Sequence, residues 1–436
     1  MTLHVNENKK LSIKKLLEFV KMDFNKVNGK EKHKDSSSTS NCLMSALAMF
    51  SLKMPSLLHF DNHRYDETIS HNLKTLYGVE NPPSDSYMRE RLDPLNPQEL
   101  RPAFKSLFRE IQRGKVLEDY VFMDGKYLIP LDGTGVFSSH TIHCSNCCEK
   151  HHKDGSVTYH HQILSAVIVH PDHKEVFPLC PEPIIKQDGN KKNDCETNAC
   201  NRLLADLKRE HPHLKVIVAG DAIHSTGPRI RQLKKDDMGF ILGVKPGSHD
   251  FLFDWVSGLT MQTHEIVVDG IAYIFRWANQ VPLNDANHDL LVNFLDCIVE
   301  DPKAGRKHFS WVTSITIKKE NVFQIAKGGR AKWKIENETF NTLKNQGYNF
   351  EHNYGHGSEN LSTILTFLMM LAFFIDQIQQ RACGMFQAAL KKVKQKKILW
   401  ERIRSLFVEY FINSWDDLFY TIETGKGRAH LPPRPP

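Results

Sequence analysis

Residues 127–139 read YLIPLDGTGVFSS, an apolar run interrupted by a single acid, Asp132. Its length and its bounding Gly and Ser residues suit a β-strand. Downstream, residues 154–171 (DGSVTYHHQILSAVIVHP) begin on an Asp-Gly turn and return as a second strand, and 175–185 (EVFPLCPEPII) supply a third. Residues 194–212 (DCETNACNRLLADLKREHP) have helical spacing, with Asn193 or Asp194 as N-cap and Pro212 just beyond the end. Residues 214–225 (LKVIVAGDAIHS) form a short apolar strand closing on Asp221. A helix over 226–237 (TGPRIRQLKKDD) then leads to a fifth strand, FILGVK, at 240–245. Three strands, a helix, a strand, a helix and a strand is an order that neither a long β-sandwich nor a plain doubly wound sheet produces.

Working outward, residues 1–115 read as helical, with Leu11, Leu16, Leu17, Val20 and Met22 forming an apolar stripe and Pro55, Pro82, Pro83 and Pro97 separating the segments. The stretch DSSSTS at 35–40 has the composition of a loop or linker. Residues 246–325 return to β patterning, including an Asp-Gly hairpin signal inside THEIVVDGIAYIFRW (263–277). Helical spacing resumes near 330 and runs to about 412, and the end, GKGRAHLPPRPP, suits an extended tail.

The 436 residues are 40% hydrophobic and 25% charged, an ordinary globular balance. A net charge of +6 permits a local basic stripe for nucleic acid without requiring one. Polar and acidic residues fill the first twenty positions where an export leader would be apolar, so a cytoplasmic, nucleoid-associated protein is expected. In that compartment the nine cysteines are thiols or metal ligands rather than disulfides. The apolar run 361–375 (LSTILTFLMMLAFFI) falls short of the roughly 20 residues that span a bilayer, which points to a buried core helix and no membrane partner.

Three acids stand where local structure makes them costly. Asp132 interrupts a strand, Asp221 closes one, and Glu336 lies in RAKWKIENETFNTLK (330–344) with Trp333, Phe340 and Leu343 at helical spacing on its face. Each has a plainer reading: a turn residue for Asp132, a helix cap for Asp221, a solvated helix acid for Glu336. Brought together they would repel one another, and divalent cations would relieve both the repulsion and the lost hydration. Paired oxygen-bound metals suit phosphodiester cleavage, and such ligands select Mg²⁺ or Mn²⁺. Glu338 is a rival for Glu336, but its helical angle turns it from the Trp333 and Phe340 face.

The order and spacing, carried most specifically by YLIPLDGTG, VIVAGDAIHS and WKIENETFNTLKNQGYNFEHNYGHG, resemble the DDE transposases of bacterial insertion sequences over about residues 40–385. The likeness is to the cut-and-paste group with a β-rich insertion before the final glutamate. It implies an α/β fold: an RNase H-like mixed sheet flanked by helices, with that insertion and helical N- and C-terminal regions. The divisions would be 1–115, helical and DNA-binding; 116–245, the first part of the catalytic core; 246–325, the insertion; 326–385, completion of the core; and 386–436, a basic helical region and Pro-rich tail. Asp132, Asp221 and Glu336 would be the catalytic ligands of two Mg²⁺ or Mn²⁺ ions, with Lys332, Lys344, Arg330 and Trp333 on DNA. The implied activity is metal-dependent cleavage at transposon ends and transfer of the 3′-hydroxyl into target DNA. Its partner would be double-stranded DNA, held by a homodimer. An endonuclease without strand transfer and an inactive zinc-stabilised DNA-binding protein are the alternatives. Two departures from the family pattern weaken the DNA contacts: Gly329 and Lys332 stand where the family has tyrosine and arginine, and Lys344 is one residue out of step.

Residues 143–161 (HCSNCCEKHHKDGSVTYHH) form a Cys/His cluster. Its single CxxC step is half a zinc site, and Cys144 and Cys147 with Cys148 or a histidine of the second strand, His161, are the expected ligands of a structural Zn²⁺, against a plain polar loop of free thiols. Basic residues along 390–404 (LKKVKQKKILWERIR) offer either a solvated face or a phosphate track, and Trp277 either a core residue or a base-stacking one.

Overall fold

The computed structural model describes residues 11–27, 38–186 and 193–427, so residues 35–37 of the expected linker and 428–436 of the expected tail lie outside the described residues. The strands are β1 (Val121–Met123), β2 (Lys126–Ser139), β3 (Cys148–His151), β4 (Val157–Ile168), β5 (Phe177–Pro178), β6 (Glu182–Ile184), β7 (Val216–Gly220), β8 (Gly239–Gly243), β9 (Gln262–Val268), β10 (Ile271–Pro282), β11 (Leu291–Asp301) and β12 (Gly305–Thr313). They form one mixed sheet in the order β3-β4-β2-β7-β8-β12-β11-β10-β9, flanked by helices.

Strand direction changes at β2: β4 runs antiparallel along one side, and β7 and then β8 run parallel on the other. The all-apolar VIVAG of β7 and most of FILG in β8 are buried, as parallel strands covered on both faces require. Helices Glu196–Glu210 and Gly227–Lys235 make the crossovers. The third strand expected at 175–185 is instead the two short pieces β5 and β6, both paired with β4. Pro178, Pro181 and Pro183 explain the break, because each removes a ladder N–H.

The segment after β8 begins with a helix, Asp250–Ser257, and continues as the antiparallel meander β9 to β12. Asp269 and Gly270, at φ 52° and 77°, join β9 to β10 in the two-residue turn that the Asp-Gly pair encodes. The meander shares the sheet with β7, because β12 pairs with β8 from Trp311↔Gly243 to Thr313↔Ile241.

Residues Leu361–Ala382 form a helix long and apolar enough to cross a membrane, yet every residue from Leu361 to Gln380 is buried within the protein. Helices Thr39–Ser51 and Arg101–Arg113 pack against it, so the N-terminal helices share a core with a segment some 300 residues later. Within that core Lys53 Nζ lies 2.7 Å from Asp376 and stacks over the rings of Tyr348 and Trp400 at 4.0 and 4.1 Å. All nine cysteines are free of disulfides.

Candidate active site and metal centre

The parallel ladder pairs Tyr127 with Val216 and Pro130 with Ala219, and carrying that register two residues further sets Asp132 level with Asp221. Side chains at matched positions of neighbouring strands share a face of the sheet. Burial raises the Asp132 carboxyl above its ordinary pKa, and the Asp221 and Glu196 carboxylates push it the same way against the pull of Lys332. Lys332 Nζ lies 3.2 Å from Asp132 Oδ2. Asp221 is also the cap of the turn Ala222–His224, where its Oδ1 accepts from the Ile223 amide at 3.1 Å.

Glu196, which sequence reasoning did not single out, belongs to this group. It opens the helix Glu196–Glu210, and its carboxylate would lie 2.8 Å from a Cβ placed on Gly133. The residue after Asp132 is therefore a glycine that lets a third acid approach the strand. Behind it, Glu196 Oε1 lies 3.2 Å from Nε2 of buried His224. Burial works against charge on His224, but Cys200 and Glu196 outweigh it and raise the imidazole to about 9. The only sequence signal for Glu196 is an acid in a first helical turn, which is too common to stand out.

Glu336 sits differently from its helical reading. Residues Ile335–Phe340 form a π-helical turn in which the Asn341 amide reaches back to the Glu336 carbonyl. The wider turn breaks the spacing that put Glu336 beside Phe340 and Leu343. Those two are buried, whereas Glu336 is exposed and Trp333 is 53% exposed. The π turn packs over β2 and β4, and Glu336 follows Lys332 by four residues, so its element reaches the Asp132 edge. The Glu338 charge acts on Lys334 and Lys396, favouring their ammonium forms against the burial that lowers both. Asp132, Asp221 and Glu336 do not close to a common 4.8 Å cage.

Asp221, Lys332, Arg330 and Trp333 line a cleft of about 1100 Å³ between the ends of β7 and β8 and the meander. Phe309 on β12 anchors its wall: Arg330 lies over the ring at 5.5 Å and Trp333 meets it edge-on at 6.2 Å. Gly329 has a steric reason, since a Cβ there would lie 2.4 Å from the Trp311 indole, so no tyrosine fits. Lys344 pairs with Glu351 at 2.7 Å, apart from the cleft lining. Trp277 is buried in the core.

The Cys/His cluster assembles with one change of ligand. Cys144, Cys147, His161 and His356 are all buried, and their ligand atoms lie within 4.8 Å of one another. Cys148, expected in the set, instead directs its thiol to the Ile184 carbonyl at 3.7 Å. As a residue on β3 next to the CxxC turn, it points to the opposite side of the strand, and His356 takes the fourth place.

No protein-family model matches the chain, and no curated protein matches it either.

Proposed function

We propose that this chain is a DDE transposase with an RNase H-like core, which cleaves DNA at transposon ends and transfers the freed 3′-hydroxyl into target DNA. The observation that carries the reading is the β2–β7 register, which sets two acids level on neighbouring parallel strands. The strand directions agree with such a core: β4 antiparallel on one side of β2, β7 and β8 parallel on the other, helices between. The insertion of that group corresponds to the segment holding β9 to β12.

The donor set fits Mg²⁺ or Mn²⁺, because it offers carboxylate oxygens only. Burial first, and then the Asp221 and Glu196 carboxylates, raise the Asp132 carboxyl, and a divalent ion beside it would offset both the lost hydration and the repulsion. Asp132, Asp221 and Glu336 would hold two ions. When bound, the ions activate a water or a 3′-hydroxyl and offset charge on the leaving oxygen. Lys332 balances Asp132 and offers the same ammonium to a backbone phosphate. Arg330, fixed over Phe309, and exposed Trp333 present a cation and a flat apolar face to duplex DNA along the cleft. Handling two transposon ends at once implies a homodimer on DNA, in the cytoplasm and on the nucleoid.

Incubating the protein with a supercoiled donor carrying the element's ends and Mg²⁺ tests this. Joined products are expected. Nicks alone would favour an endonuclease without strand transfer, and a shifted band alone a DNA-binding protein without turnover. Asp132→Asn, Asp221→Asn and Glu336→Gln should each abolish both products while DNA binding persists. A variant that keeps substantial Mg²⁺-dependent cleavage removes its residue from the triad.

A further inference from the structure

We infer that Cys144, Cys147, His161 and His356 bind one structural Zn²⁺ that ties the strand pair carrying Asp132 to the loop following the Glu336 segment. The ligands converge from three places. Cys144 and Cys147 lie on the turn between β2 and β3, His161 on β4, and His356 is 209 residues beyond Cys147. Cys144 Sγ and Cys147 Sγ are 3.8 Å apart, and each sulfur is 3.2 Å from an imidazole Nε2, Cys144 from His161 and Cys147 from His356. Tetrahedral zinc with Zn–S of about 2.3 Å and Zn–N of about 2.0 Å requires S–S edges of about 3.8 Å and S–N edges of about 3.5 Å. The cluster is thus at coordination scale.

The Cys144 amide donates to Cys147 Sγ at 3.4 Å, which holds the sulfur inside the turn facing the other ligands. The Phe137 ring lies 4.3 Å from His356, shielding it on one side. Four buried protein donors leave no position for water or substrate, so the site is closed and structural. Two sulfurs and two imidazoles select Zn²⁺ over the hard ions that suit the carboxylates.

What the ion joins gives it a purpose. The polar turn 144–147 has little apolar surface of its own, and the loop 355–360 connects the segment of Glu336 to the buried helix Leu361–Ala382. Protein hydrogen bonds already follow the same seam: Asn146 Nδ2 donates to the Glu359 carbonyl at 2.8 Å and the Ser145 amide to the Ser358 carbonyl at 3.4 Å. Asp93 gathers the amides of Ser358, Glu359, Asn360 and Leu361 from the other side. Zinc adds the bonds that hold the two pieces in one place through local unfolding.

Metal analysis and cobalt substitution of the purified full chain test the site without any DNA chemistry, so the outcome is independent of the transposase reading. About one zinc per chain is expected, and Co²⁺ in its place should show the intense visible bands of a tetrahedral thiolate site. Cys144→Ser and His356→Ala should lose the metal and lower Tm, whereas Cys148→Ser should keep both. Absence of stoichiometric zinc overturns the site, as does a Cys148→Ser protein that loses metal as fully as His356→Ala. If the ligand variants fail to fold, the cobalt spectrum of the unaltered chain decides: weak octahedral absorption rejects it.

Discussion

His211 shows how one side chain sets a pH limit on the fold. It ends the helix Glu196–Glu210 against Phe108, ring centroids 4.2 Å apart, and burial above all draws its imidazole down to about 4. The unfolded chain takes up that proton near 6.5 and the folded one resists it, so stability is full above that value and is lost as pH falls toward 4. The loss attributable to this residue is about 3 kcal/mol. His211→Phe should remove that component, leaving a shallower fall in Tm between the two pH values. Parallel Tm profiles for the two proteins would reject the assignment. At the same scale, Asp132 and Asp221 were legible because each interrupts or closes an apolar strand where an acid needs a reason. Glu196 was not, since its meaning comes from Gly133 leaving room beside Asp132. His356 was not either, because nothing local in a glycine- and asparagine-rich loop marks a partner for a turn 209 residues earlier.

Among elements, the segment from Val322 to Phe340 departs furthest from its sequence reading, and it shows why. Periodicity assumes one helical pitch, whereas the chain passes here from an α-helix through a bend into a π turn. Counting by 3.6 therefore puts Glu336 on the apolar face, and the structure exposes it. Pattern alone gave the strands more reliably, apart from the proline-broken third. The α-helical part, Val322–Arg330, approaches the sheet closely because Gly328 and Gly329 lack side chains: added Cβ atoms would meet Phe122 at 2.7 Å and Trp311 at 2.4 Å. Gly329→Ala should cost about 1–3 kcal/mol, since a buried indole rather than a flexible chain end must move. Chemical denaturation reads this directly, and an unchanged midpoint would mean that the helix shifts freely on the sheet.

For the whole molecule, the Lys53–Asp376 pair locks the N-terminal helices to the late buried one. The sequence marks both regions as helical, and the second as core, but holds no information on their packing together. Both charges are buried, and burial lowers the Lys53 pKa and raises that of Asp376 against their mutual attraction. Such a pair adds little net stability when intact, yet breaking it strands a charge. Asp376→Asn should therefore cost about 3–5 kcal/mol, and Lys53→Met with Asp376→Leu should recover most of it. Urea titration of the three proteins is the measurement. A single variant as stable as the parent would show that water reaches the pair.

The unbroken ladder from β7 through β8 to β12 has a mechanical consequence. Floor and far wall of the groove beside Asp221 belong to one pleated sheet, stitched by main-chain bonds instead of joined by a flexible strap. The strand-built parts of the groove therefore cannot hinge apart, and the width between them is set by the twist of the sheet and by the reach of Arg330 and Trp333.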